Sequence, residues 1–194
     1  NEQLENELDR MYELFKKFEL EQKMEETLKE LEELAQKQEE VQKENDGSKD
    51  GNQKAAKKQE EISEALENVK EDIEKAKELA QEANEDVDMD KVEEALEKAS
   101  EQSQSAKEEL SNNKSKKAQE NQQNAKQEMQ NAAQEMSAMM QNMQMQQMGE
   151  DLQAMRQLLE NLLILSDEQE RLAMTSTQIA TNNPEYVQLI RAQN

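Results

Sequence analysis

Met136, Met139, Met140 and Met143 fall within two turns of one another if the chain around them is helical. Four thioethers on neighbouring helical faces are soft ligands of the kind copper(I) prefers. They belong to a run from Gln127 to Met148 built almost wholly of Met, Gln, Asn and Ala, which also holds Met129, Met145 and Met148. No basic residue occurs between Lys126 and Arg156, and the chain has no His or Cys to strengthen a metal site. Two other uses of methionine therefore stand beside the metal one. Unbranched, polarizable thioethers form a soft apolar surface that holds partner or client segments, or they fill an irregular helical core.

Asp86, Asp88 and Asp90 alternate like the first ligands of a calcium loop, but the central Gly and distal bidentate Glu of such a loop are missing. A helix-capping turn accounts for them more simply. Glu25 with Glu26, and Glu32 with Glu33, supply paired carboxylates. Acid–base work by a carboxylate needs a pKa shifted by burial in a cleft, whereas long charged helices keep their acids in water. His and Cys are the commonest groups for proton transfer and nucleophilic attack near neutral pH. Their absence predicts a noncatalytic chain, with no cofactor and no resident metal.

The elements that must position these residues follow from composition. Of 194 residues, 33% are hydrophobic, 2% are aromatic, and only 3 Gly and 1 Pro interrupt the chain. Abundant Glu, Lys, Gln, Ala and Leu favour long helices, and strand formers are too scarce for a sheet. The net charge of -22 disfavours nucleic acid and an anionic membrane surface, because the lysines are intermixed with acids. The longest apolar run, Leu162 to Leu165, is far too short to span a bilayer, and Asn1 to Arg10 has no signal-peptide pattern. A start without Met makes the chain read as an excerpt of a longer protein.

Apolar residues set the helices. Leu4, Leu8, Met11, Phe15 and Phe18 form one stripe, which loses phase and restarts at Met24, Leu28 and Leu31, with Leu34 and Val41 beyond. Asn45, Asp46, Gly47, Asp50 and Gly51 form the clearest break. An unbroken heptad seam follows through Ile62, Leu66, Val69, Ile73, Ala76, Ala80, Ala83 and Val87. Past a cap at Asp88 or Asp90 come Val92, Leu96, Ala99, Ala106 and Leu110, a seam weakened by Ser103. It turns polar over Ser111 to Lys117 and resumes out of phase at Ala118, Gln122, Ala125, Met129, Ala132, Met136, Met139 and Met143. With no Gly or Pro in between, one helix from Asp90 to Met148 is predicted.

Gly149 is the natural bend before the richest apolar segment, Leu152, Met155, Leu158, Leu159, Leu162, Leu163 and Leu165. Leu172, Met174 and Ile179 extend it to Asn182 and Asn183, where Pro184 opens a last helix carrying Tyr186, Val187, Leu189 and Ile190. The fold class predicted is all-α, an elongated antiparallel coiled-coil or helical bundle of three to five long helices. Residues 1–126 would form a charged rod with helices at about 2–44, 53–86 and 90–126. Residues 127–194 would continue the third helix, bend near Gly149, return along the methionines to about 182, and close with the helix from Pro184.

Leu158, Leu159, Leu162 and Leu163 leading into Ser166, Asp167, Glu168 and Gln169, then Asn182, Asn183, Pro184, Glu185 and Tyr186, resemble a domain-of-unknown-function family, as does Leu8 to Glu40. Its members are large Bacteroidetes envelope proteins with N-terminal membrane helices followed by a long Glu, Lys and Gln-rich helical region. The resemblance covers both ends and leaves Gly47 to Gln127 as a generic charged tract. It implies the soluble, periplasmic part of a membrane-anchored parent, and no activity or catalytic residue.

The function expected is a structural scaffold mediating protein–protein interaction in the bacterial cell envelope. The alternative is a chaperone-like or adaptor module holding a client on a Met-rich helix. Either way the partner is a protein or a second copy, with no nucleic acid and no membrane contact by this segment. The candidate partner or core surface is Met129, Met136, Met139, Met140, Met143, Met148, Leu152, Met155, Leu159 and Leu162.

Overall fold

A computed structural model describes residues 2–45 and 47–178. They form four α-helices, α1 (Glu2–Glu44), α2 (Lys49–Glu82), α3 (Asp90–Ser111) and α4 (Ser115–Gln178), with no strand among the described residues. The chain is all-α. It divides into two compact units, residues 1–142 and 143–194.

The first unit is an antiparallel four-helix bundle. Each helix buries one heptad seam: Leu20, Met24, Thr27, Leu31, Leu34, Gln38 and Val41 on α1; Ala55, Gln59, Ile62, Leu66, Val69, Ile73 and Ala76 on α2. On α3 the buried seam is Val92, Leu96, Ala99, Ser103, Ala106 and Leu110, and on α4 it is Ala118, Gln122, Ala125, Met129, Ala132 and Met136. Steps of three and four keep each seam facing its neighbours as the helices wind together. Ion pairs join the antiparallel helices. Lys23 meets Asp72 at 2.6 Å, and Lys16 meets Glu82 at 3.0 Å, between α1 and α2. Lys77 meets Glu93 at 2.5 Å between α2 and α3, and Lys126 meets Glu39 at 2.6 Å between α4 and α1. On the solvated faces, Glu39 with Lys43 and Glu94 with Lys98 place the acid four residues before the base, the better order along a helix.

The helix ends correct two expectations. The chain turns at Asn112 to Lys114, so no single helix runs from Asp90 to Met148. Asn113 adopts a left-handed φ of 56°, the Asn113 N–H donates to the Leu110 carbonyl at 3.0 Å, and the Lys114 N–H donates to the Glu109 carbonyl at 2.8 Å. This pair of bonds satisfies the last carbonyls of a helix around a left-handed residue. Asn84, with φ 53°, ends α2 the same way: its N–H reaches the Gln81 carbonyl, and the Glu85 N–H reaches that of Ala80. Asn does at both ends what Gly would be expected to do. The α2 start is also earlier than expected, at Lys49 rather than about Gln53, because Ser48 caps it by accepting from the Gly51 N–H at 3.0 Å. Val87 falls in the following loop, only half-buried, and Met89 takes the core position instead.

In the second unit, α4 passes through Gly149 without a break. A lone glycine weakens a helix by about 1 kcal/mol, which is too little to end one without a capping partner. The predicted bend, and with it a helix returning along the methionines, is therefore not formed. From Met148 to Leu165 the large apolar side chains are exposed, each more than half open to solvent. The short helix predicted from Pro184, and Ile179, lie outside the described residues.

Candidate partner-binding face

The ten residues expected to share one surface are split by the structure. Met129 and Met136 are wholly buried in the first unit, where heptad register sets Met129 level with Leu31, Leu66 and Leu96, and Met136 level with Met24, Ile73 and Met89. These two methionines are core, and what buries them is the rest of the bundle. Met139 and Met140 are half-buried, and Met143 is buried. Met148, Leu152, Met155, Leu159 and Leu162 remain exposed, Met148 at 66% and Leu159 at 56%. Met136 and Met143 lie seven residues apart on the buried seam, about 10 Å along the helix.

The exposed set has its own geometry. Met145, Met148, Leu152, Met155, Leu159 and Leu162 step by three and four along α4, the spacing of a coiled-coil seam, and Leu158, Leu163 and Leu165 widen it. The positions that would carry on the bundle seam are Gln146, Glu150, Gln153, Gln157 and Glu160. The apolar residues have therefore moved to a different face of the helix. Flanking that face are Glu150, Asp151, Glu160, Asp167, Glu168 and Glu170, with Arg156 and Arg171 the only basic residues of the described part of this unit.

Sequence reasoning missed a second stripe of this kind. Leu8, Met11, Phe15 and Phe18 on α1 read as the opening of a core seam, yet all are exposed, with Tyr12 and Leu14 beside them. The signal was the loss of phase between Phe18 and Met24. Extended backward, the buried seam falls on Lys17, Glu13, Arg10 and Asn6, so the aromatic and aliphatic side chains point elsewhere. Leu4 lies among the residues whose side chains are not described.

The remaining candidates lie in solvent, and one of them, Glu32, borders a groove. Glu25, Glu26, Glu32 and Glu33 are all exposed. Among the described residues no group of three or more acidic side chains is arranged to hold a metal ion. The Asp88 carboxylate accepts from the Asp90 N–H at 3.1 Å, but the N-cap position of α3 falls on Met89, so neither aspartate caps the helix as expected. A groove of about 490 Å³ between α1 and α4 is lined by Glu32, Glu39, Lys126 and glutamines. There the Lys126 and Lys43 ammonium groups hydrogen-bond Glu39 and hold its carboxyl down to about 2 from its ordinary 4.5. This is ion pairing, within α1 through Lys43 and between α1 and α4 through Lys126. No described helix is long and apolar enough to cross a membrane. Comparison of the chain with protein-family models, with curated proteins and with solved structures gave no match.

Proposed function

We propose that this chain is a noncatalytic helical scaffold that mediates protein–protein interaction in the bacterial cell envelope. The carrying observation is the exposed seam Met145, Met148, Leu152, Met155, Leu159 and Leu162, which has the spacing of a coiled coil and no partner helix among the described residues. An apolar stripe of that length on a polar helix marks an interaction face, and the occupant whose shape fits is another helix laid along it. Acids at its margins favour an occupant whose own apolar stripe is edged by Lys and Arg. Each Leu or Met covered completely would contribute about 1.5–3 kcal/mol before ordering costs. The envelope assignment, as the periplasmic part of a membrane-anchored parent, rests on the resemblance carried by Leu158 to Gln169 and Asn182 to Tyr186.

A photo-crosslinking residue at Leu159, with a control at the exposed Glu64 of the bundle, tests the reading in envelope extracts. Specific protein adducts are expected at Leu159 only, and Leu152→Lys should abolish them while leaving the helical content unchanged. Equal capture at both positions would defeat the proposal. Met145, Met148 and Met155, exposed and flexible, favour a second reading as a chaperone-like surface for varied clients. Suppression of aggregation of several unrelated unfolded proteins would select it. The test must use these residues, since Lys at the buried Met136 or Met143 would perturb the core instead.

A further inference from the structure

One level of the bundle core is polar. Gln38, Gln59, Ser103 and Gln122, one residue from each helix, are all fully buried at the same height. Gln38 and Gln59 exchange reciprocal bonds: the Gln38 amide donates to the Gln59 carbonyl oxygen at 2.9 Å, and the Gln59 amide donates back at 2.7 Å. The Gln59 amide also donates to Ser103 Oγ at 2.7 Å, and its oxygen accepts from the Gln122 amide at 3.0 Å. Both protons and both lone pairs of the Gln59 side chain are thus used, which is the full capacity of a carboxamide. Ser63 closes the cluster, 2.9 Å from Ser103 Oγ.

Apolar packing alone would not choose this alignment. The α1–α2 connection contains two Asp-Gly pairs, Asp46–Gly47 and Asp50–Gly51, and either glycine suits a tight turn. The chain turns at Gly47, which has φ 78°, and Gly51 lies inside α2. A turn at Gly51 would slide α1 by one heptad against the other helices. Val41 would then face Ile62, Leu34 would face Val69 and Leu31 would face Ile73, so apolar residues still meet apolar ones. The slide removes Gln38 from the polar layer. Gln38 would lie opposite Leu66, leaving a buried amide without a partner, and Gln59 would face Asn45. The ion pairs between these helices lie on partly solvated faces rich in alternative acids and lysines, where they discriminate weakly.

We propose that the Gln38–Gln59 pair, braced by Ser103 and Gln122, is the register lock of the bundle and selects the turn at Gly47 over the one at Gly51. A single buried polar layer fixing the alignment of otherwise degenerate heptads is the best-supported role of such groups.

The full chain contains no Cys, so two nitroxide labels placed by Glu26→Cys and Lys57→Cys, both exposed positions, report the α1–α2 alignment by electron–electron distance. A slide of seven residues changes their axial offset by about 10 Å. With the lock intact a single distance is expected. Gln38→Leu with Gln59→Leu should add a second distance about 10 Å longer, its population raised at least tenfold. A second variant moves the lock instead of removing it: Gln38→Leu with Asn45→Gln should make the longer distance dominant, since Gln at 45 meets Gln59 only in the slid register. A single unchanged distance in both folded variants would overturn the proposal, and if the first variant fails to fold, the second decides alone.

Discussion

Glu39 binds two lysines at once, Lys43 on its own helix and Lys126 on α4, and its carboxyl is held at about 2 instead of 4.5. A carboxylate whose folded pKa is depressed stabilises the fold fully above its unfolded value and loses that contribution as pH falls toward the folded one. Glu39→Gln should therefore melt below the parent protein at pH 7, with the difference shrinking between about pH 4.5 and 2. Thermal melts of both proteins across that range check the sign; a difference independent of pH would assign Glu39 a neutral hydrogen-bonding role. Leucines give a second contrast at this scale. Leu66→Ala, at a wholly buried site, should cost about 2–5 kcal/mol by denaturant unfolding. Leu159→Ala, at an exposed one, should stay within about 0.5 kcal/mol. The sequence shows two leucines on heptad stripes in both cases. Which stripe finds partners depends on what the other helices place opposite it, and that is tertiary information. Gln38 and Gln59 were hidden for the complementary reason: in a chain full of surface glutamine, only the seam position marks a buried one.

At the scale of elements, most of the fold could be read from periodicity, because every buried seam obeys the three-four alternation and the sequence displays it directly. The ends were harder. Asn84 and Asn113 close α2 and α3 in the left-handed conformation, and Asn also occurs within helices, as at Asn124 and Asn131. Its presence alone does not announce a stop. Glycine misleads in the opposite direction. Gly47 sits at φ 78°, where a side chain is strained, while Gly149 is helical and a methyl group added there would meet nothing within 4 Å. Gly47→Ala is expected to destabilise the bundle by about 1 kcal/mol, and Gly149→Ala to raise helix stability by about 0.5–1 kcal/mol. Circular dichroism melts of the two variants should move in opposite directions. A loss of stability at Gly149→Ala would mean that the glycine is needed for close approach by a partner.

For the molecule as a whole, the candidate site was legible as a composition and illegible as a surface. The Met-rich run and the leucine cluster stood out in the sequence, but three of the ten residues of the expected face are buried, Met129 and Met136 among them on the same seam as Ala125 and Ala132. What stays exposed is the phase-shifted stripe from Met145 onward and the one at Leu8 to Phe18. With a net charge of -22, a second copy approaches against repulsion, while a basic-edged helix is attracted. Association with such a helix should slow by at least about tenfold as ionic strength rises from low to physiological, since steering is screened beyond about 8 Å.

Amide exchange distinguishes the stripe from the core before any partner is known. Opening free energies within one protein range from near zero, where few apolar contacts hold a segment, to the global value in a packed core. The amides from Leu152 to Leu165 share the regular helical hydrogen bonding of those from Ile62 to Ile73, but their side chains lie in water instead of in the bundle. They should exchange about 100-fold faster or more. A partner helix seated on Leu152, Met155 and Leu159 would slow that exchange in proportion to its affinity, whereas binding to the bundle surface would leave it unchanged. Exchange at Leu152 to Leu165 as slow as at Ile62 to Ile73 in the isolated chain would mean that the stripe is already covered, and that the interaction face must be sought at Leu8 to Phe18.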